Sequence, residues 1–341
     1  MGHLSHHRAH RDLQRHLDRC NTGFPDSPNT RRILQLLFSE EEAELVSRLP
    51  FVPRTAAFIA RRLSQPEAVV RRRLEALAEK GLIFDLYDRD RERMLYMIAP
   101  PVVGFVEFTL MRRRDDIDQR SLAEAVDACF GDGPGQTEVD PMVRSIFGGD
   151  TMVGRTLVHR EALVADDVAE LLDHEHAKGV IEDARRIAVS MCYCRHKAEH
   201  LGKPCKKTSR DNCLSLEAGA DYVIRYGNGR EIDRSEALEL LDEARQAQLV
   251  HIGDNVKRRL TYICNCCGCC CGQLQAINRA ELMGAVKTSN FIAEIDAEAC
   301  KGCGRCARAC PLQAIAAPRR RSATVDEELC LGCGVCEPEC R

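Results

Sequence analysis

Tryptophan is absent from this 341-residue chain, and aromatic residues together make up only 5% of it. So thin an aromatic supply excludes the extended stacking platforms that hold single-stranded nucleic acid. No apolar run approaches the ~18 residues that a membrane span requires. Neither a Gly-Lys-Ser/Thr phosphate loop nor a dinucleotide fingerprint occurs, so no nucleotide or flavin site is read. The glycine cluster Gly131-Asp-Gly-Pro-Gly135 follows no strand-to-helix pattern and reads as a loop. An excess of one charge is missing too: 49 Lys+Arg face 52 Asp+Glu, a net of −3, which argues against a chain that coats nucleic acid. The first sixteen residues, rich in histidine and arginine, offer no apolar signal core.

What the chain does have is cysteine. There are 20, of which only Cys20 and Cys129 precede residue 192. Clustering at Cys-x-x-Cys spacings, in a chain with no export signal, points to metal ligation by thiolates in a reducing cytoplasm rather than to disulfides. With 44% apolar and 30% charged residues, the remainder is ordinary globular material for two or three domains.

Residues 1–28 read as a flexible, solvated tail carrying His3, His6, His7, His10 and His16. Over 29–100 the apolar spacing predicts four helices. One holds Ile33, Leu34 and Leu37, a second Ala43 and Val46, and a third is capped by Thr55. The fourth opens on a Ser64-Gln-Pro-Glu67 capping box, buries Val70, Leu74 and Leu77, and stops at Gly81. Two apolar strands, Leu82–Tyr87 and Met94–Ile98, follow with a charged turn between them. This order resembles the winged helix-turn-helix of many transcription regulators. The resemblance allows phosphate contacts from Arg71, Arg72 and Arg73 and from the wing residues Arg89, Arg91 and Arg93. Asp85, Asp88, Asp90 and Glu92 sit among the wing arginines, however, so protein docking is favoured over DNA.

Residues 101–160 read as a linker or interaction segment. Residues 161–288 read as a mostly helical, cysteine-rich module, with amphipathic runs at 162–177 and 178–189 and an Asp233-Arg-Ser-Glu236 helix cap. The module carries ten thiols: Cys192, Cys194, Cys205, Cys213, Cys264, Cys266, Cys267, Cys269, Cys270 and Cys271. Ten are too many for one tetrahedral zinc and suit one or two iron–sulfur clusters, with structural zinc left open as the alternative. Adjacent cysteines do not easily face one small site, so some of the six at 264–271 should point elsewhere. The segment resembles a cysteine-rich module of anaerobes' electron-transfer proteins. Arg195, His196, Lys197, Lys203, Lys206 and Lys207 would either offset cluster charge or form a solvated rim.

The strongest signal lies in 289–341. Cys300-x2-Cys303-x2-Cys306-x3-Cys310-Pro311 is followed after 19 residues by Cys330-x2-Cys333-x2-Cys336-x3-Cys340. The pattern closely resembles the bacterial two-cluster ferredoxin domain, in which three cysteines of each run wrap one cubane and the fourth reaches the other. Carried over by position, the resemblance implies one [4Fe–4S] cluster on Cys300, Cys303, Cys306 and Cys340. It implies a second on Cys330, Cys333, Cys336 and Cys310. It also implies short strands at Phe291–Asp296 and Ala323–Asp326, and small residues at Gly302, Gly304, Gly332 and Gly334 that let N–H groups approach sulfur.

The expected protein is thus an α+β multidomain chain: winged helix-turn-helix, cysteine-rich module, ferredoxin-like domain. Its expected function is electron transfer between redox partner proteins, with no membrane span, two [4Fe–4S] clusters, one or two more, and no catalytic residue assigned. Two other readings remain open: an iron–sulfur redox-sensing transcription regulator, and a reductase whose cluster at 264–271 binds substrate. Anaerobic iron analysis separates the cluster counts, because the ferredoxin pair alone gives about 8 irons per chain and further cubanes give about 12 or 16.

Overall fold

The computed structural model describes residues 8–131, 138–149, 152–164, 175–208, 211–256, 259–318 and 321–340. The chain opens with a helix, Arg8–Leu17, whose Leu13 and Leu17 are buried, and Phe24 is buried beyond it. The expectation of a solvated tail over 1–28 is therefore corrected from residue 8 onward. The helix pattern is amphipathic, and His10 and His16 bond the carbonyls of Phe38 and Leu49 at 2.8 Å. His3, His6 and His7 lie outside the described residues.

Four helices follow, at Pro28–Leu37, Glu40–Val46, Ala56–Leu63 and Glu67–Glu79. Ser27, Ser39 and Thr55 cap the first three by accepting a backbone N–H of the opening turn. The capping box read at Ser64–Glu67 does not form. Ser64 instead ends the preceding helix in the left-handed region, and Pro66 starts the next without a side-chain cap. Strands β1 (Ile83–Asp88) and β2 (Arg93–Ile98) then form an antiparallel hairpin.

The segment expected as a linker carries structure of its own. Helices Gln119–Ala128 and Pro141–Phe147 bury Leu122, Val126, Val143 and Ile146, and β3 (Gly154–Leu157) leads into a sheet. Residues 132–135 of the glycine cluster and most of the run at 162–177 lie outside the described residues.

The middle of the chain is not mostly helical, and that expectation is corrected. Its frame is a seven-stranded sheet in the order β6-β4-β5-β8-β7-β3-β9. The strands are β4 (Ile187–Met191), β5 (Asp211–Leu216), β6 (Gly229–Ile232), β7 (Val250–Asp254), β8 (Tyr262–Cys266) and β9 (Val286–Lys287), together with β3. All neighbours are antiparallel except β3 and β9. The amphipathic run at 178–189 is divided between helix Ala177–Asp183 and β4. The apolar stretch Ile187–Val189 and the following Ser190 are buried throughout, as a central strand requires, and this pattern cannot be told from a buried helix by periodicity alone. Asp233 does cap helix Arg234–Gln246, accepting the Glu236 N–H at 2.9 Å.

The hairpin is bolted to this sheet layer. Tyr222, on helix Ala218–Arg225, donates its hydroxyl to the carbonyls of Ala78 and Ile83 at 3.1 Å each. Asp85 of β1, only 3% exposed, accepts from Arg225 at 2.7 Å and from the Tyr226 hydroxyl at 2.6 Å. Phe84, Phe108 and Tyr222 stack around the contact with ring centroids 4.8–5.6 Å apart. No described helix is long and apolar enough to cross a membrane. Replacing Asp85 by alanine strands Arg225 and the Tyr226 hydroxyl. After allowing for the partial exposure of Arg225, this should cost about 2 kcal/mol, read as a lower denaturant midpoint with unchanged slope.

Candidate metal centre

Three neighbouring strands of the sheet end on the same edge. Because β4, β5 and β8 alternate in direction, the exit of β4, the entry of β5 and the exit of β8 lie side by side. Cys192 and Cys194 follow β4, Cys213 sits in β5, and Cys264 and Cys266 occupy β8 two residues apart, on one face. Cys192 and Cys271 are each the residue just before a helix, Tyr193–His200 and Gly272–Asn278. Helix starts of this kind place free N–H groups beside sulfur, and Gly272 donates its N–H to the Cys194 Sγ at 3.4 Å.

These six thiols form a closed circuit. Cys192 meets Cys194 and Cys213, Cys213 meets Cys264, Cys264 meets Cys266, and Cys266 and Cys194 both meet Cys271. Hydrogen bonds from Cys213 and Cys266 lower the Cys264 thiol against its burial, while its five neighbours in the circuit are raised by hydrogen bonds among the thiols and by burial. The circuit opens on a cavity of about 320 Å³ that extends to Phe84, Phe108 and Tyr222 beneath the hairpin.

The other four mid-chain thiols are a separate group. Cys205, Cys267, Cys269 and Cys270 place their sulfurs within 4.8 Å of one another, and among the described residues this is the group compact enough for a single ion. Of the six cysteines at 264–271, three face this group and three the circuit, so Cys266 and Cys267, like Cys270 and Cys271, diverge as adjacent cysteines were expected to; Cys269 and Cys270 are the exception, both joining it 3.6 Å apart. The loop bends sharply enough to aim both inward.

Of the six basic residues flanking the first cysteines, one alone faces sulfur. Arg195 is 1% exposed and donates to the Asn212 side chain and, at 2.8 Å, to the Asn265 carbonyl. Burial works against its charge, yet the surrounding Cys192, Cys267 and Cys213 hold it above its ordinary value. His196 bonds the Leu110 carbonyl and Lys197 pairs with Asp127 at 2.9 Å, so these two anchor the helix. Lys203, Lys206 and Lys207 are exposed.

In the C-terminal segment, a two-residue strand pair joins Ile315–Ala316 (β10) to Thr324–Val325 (β11). The second lies where a strand was expected, whereas Phe291–Asp296 is not a strand. Sulfur proximity is crosswise. Cys333 is pushed up to about 12 by burial first and then by Cys336, Cys310 and Cys330, and Cys306 is raised by burial and by Cys340 and Cys303. The Ala323 N–H donates to Cys300 at 3.4 Å and that of Ala314 to Cys310 at 3.3 Å. Gly302, Gly304, Gly332 and Gly334 all have positive φ, and a Cβ at Gly332 would stand 2.0 Å from the Phe291 carbonyl oxygen. All-sulfur donors, none paired in a disulfide, with N–H groups aimed at them, fit iron–sulfur clusters.

The C-terminal segment also abuts the mid-chain group. Gly268, between Cys267 and Cys269, packs on Pro311 so closely that a Cβ would lie 2.3 Å from the Pro311 carbonyl oxygen. Asn278 ties the two, donating to Pro311 at 3.1 Å and to Gly268 at 3.3 Å. Residues 299–341 match the family of 4Fe-4S dicluster domains. No curated protein and no solved structure matches the chain.

Glu107 escaped the sequence reading, since no local pattern marks it. It is buried and lines the cavity, accepting the Gly104 N–H at 3.0 Å. Burial pushes its carboxyl up to about 7, opposed by backbone N–H groups and Tyr193. The folded state therefore holds this proton more tightly than the unfolded one. The associated stability is present at low pH and is lost as pH rises from the carboxyl's ordinary range through about 7, by up to roughly 3 kcal/mol. Glu107→Gln should flatten the anaerobic unfolding midpoint across pH 5 to 8 (roughly the window set by that shift), with the variant gaining on the native chain at the alkaline end.

Proposed function

We propose that the chain is an iron–sulfur electron-transfer protein or subunit, relaying electrons between redox partners. The observation that carries this reading is the match of residues 299–341 to a 4Fe-4S dicluster domain, with the crosswise sulfur neighbours described above. In this reading Cys300, Cys303, Cys306 and Cys340 hold one [4Fe–4S] cluster, and Cys330, Cys333, Cys336 and Cys310 hold the other. The six-thiol circuit of Cys192, Cys194, Cys213, Cys264, Cys266 and Cys271 holds a further polynuclear centre, because its opening is wider than one ion. When bound, such groups supply one-electron redox chemistry. The residues of the chain exclude water, donate N–H groups to sulfur and offset charge, which together set the potential.

The contact of Gly268 with Pro311 supports a relay, since it lays the mid-chain cysteine loop directly against the turn after Cys310. The helices and hairpin of residues 28–98 are taken as a winged-helix unit used for docking. Support for docking over DNA comes from Asp85 and Arg89, which the hairpin spends on Arg225 and Asp221 of the same chain. One observation favours a second reading, a reductase: the 320 Å³ cavity beside the six-thiol circuit has room for a small molecule.

Anaerobic reduction followed by EPR tests the relay. Reduced-cluster signals should appear, and Cys333→Ser should remove one of the two ferredoxin-type signals while sparing the other. A chain that neither bleaches on reduction nor gives a signal is not an electron carrier. Arg72→Ala should leave reduction rates unchanged, and tight DNA binding that is sensitive to reduction and lost in Arg72→Ala would favour the regulator.

A further inference from the structure

The four-thiol group differs from the other sulfur sets in scale. Its sulfur–sulfur separations are 3.7 Å for Cys205–Cys267, 3.9 Å for Cys205–Cys269 and 3.6 Å for Cys269–Cys270. A tetrahedron of sulfurs about 2.3 Å from a central zinc has edges of about 3.8 Å. Thiolates of a cubane are bound to four separate irons and stand farther apart than thiolates sharing one ion. Neither the six-thiol circuit nor the C-terminal cysteines form a group this compact among the described residues.

From this spacing we infer that Cys205, Cys267, Cys269 and Cys270 form a mononuclear Zn²⁺ site, distinct from every iron–sulfur centre of the chain. All four tetrahedral positions are filled by protein sulfur, which is the closed arrangement of a structural ion. Binding replaces up to four S–H bonds by four metal–sulfur bonds and releases the protons to solvent, and no electron moves.

A second observation points the same way. Four thiolates on a divalent ion carry a net charge of 2−, and on the side of the buried pair Cys267 and Cys270 that charge calls for a cation nearby. Arg195 provides one: it lies close to Cys205 and Cys267 and keeps a buried Nε–H without a partner. The ion would staple two stretches far apart in sequence. One is the strap after helix Tyr193–His200, which carries Cys205, and the other is the Cys267–Cys270 loop that bears on Pro311. The zinc is thus a brace that fixes the surface on which the C-terminal segment rests. The inference stands whether or not the chain carries electrons.

The test uses the full chain, purified anaerobically from zinc-replete medium. Metal analysis should find one zinc per chain beside the iron, and zinc X-ray absorption should show four sulfurs at about 2.3 Å. In the double variant Cys205→Ser with Cys269→Ser, zinc should fall about tenfold or more while iron content and visible absorption stay unchanged. Zinc-free native protein overturns the site, as does a mononuclear iron in its place. Loss of about four irons in the variant, the content of one cubane, would likewise assign the group to a cluster. If the variant does not fold, the native protein's zinc content and absorption spectrum decide alone, and failure here leaves the EPR test of electron transfer untouched.

Discussion

Everything in the middle of this protein depends on how many sulfurs can be packed at one edge of a sheet. Antiparallel neighbours reverse direction, so three adjacent strands bring two exits and one entry together. Cysteines far apart in the chain, Cys192, Cys213 and Cys264, therefore become neighbours without long loops. Such packing can carry thiolates, once a bound metal displaces their protons, only if the sulfurs meet positive ends of dipoles and one buried cation. The helices after Cys192 and Cys271 provide the first, and Arg195 the second.

The same edge is where the rest of the chain converges. The 267–270 loop supports Pro311 and hence the C-terminal cysteine runs. The cavity beside the six-thiol circuit reaches under the hairpin, whose strands are tied to helix Ala218–Arg225. One buried core joins the N-terminal helices to Leu312, Leu331 and Val335 near the C-terminus. A perturbation of the sheet edge would thus be felt at both ends of the molecule.

The helices and hairpin of residues 28–98 were legible because their signals are local: capping hydroxyls at Thr55, apolar residues at helical spacing, a charged turn between two short apolar strands. Where a second local signal competed, as at Ser64, the reading failed, since the residue is used to end one helix rather than to begin the next. The first helix was missed because Leu13 and Leu17 are sparse among histidines and arginines. Only tertiary contact shows that they are buried. The sheet was hidden for a different reason. Strand β4 is short and buried on both faces and shows no alternation, whereas Val250 and Ile252 of β7 and Tyr262 and Ile263 of β8 do read as strand-like, without revealing the sheet they join. The cysteine motifs announced metal chemistry, and the repeated x2-x2-x3 spacing marked the C-terminal segment. The division of ten mid-chain thiols into six and four was beyond the sequence, because Cys266 and Cys267 are neighbours that face different groups. Glu107 likewise becomes notable only when Val103, Gly104 and Tyr193 close around it.

The polar bolts between hairpin and sheet have an evolutionary corollary. Asp85, Tyr222, Arg225 and Tyr226 satisfy one another across the joint, so each half, taken alone, exposes groups shaped for the other. The N-terminal unit is therefore no portable cassette. Transplanted to another scaffold, it would carry a carboxylate and bare carbonyls seeking counterparts, and recombination could spread it only together with the helix that receives it.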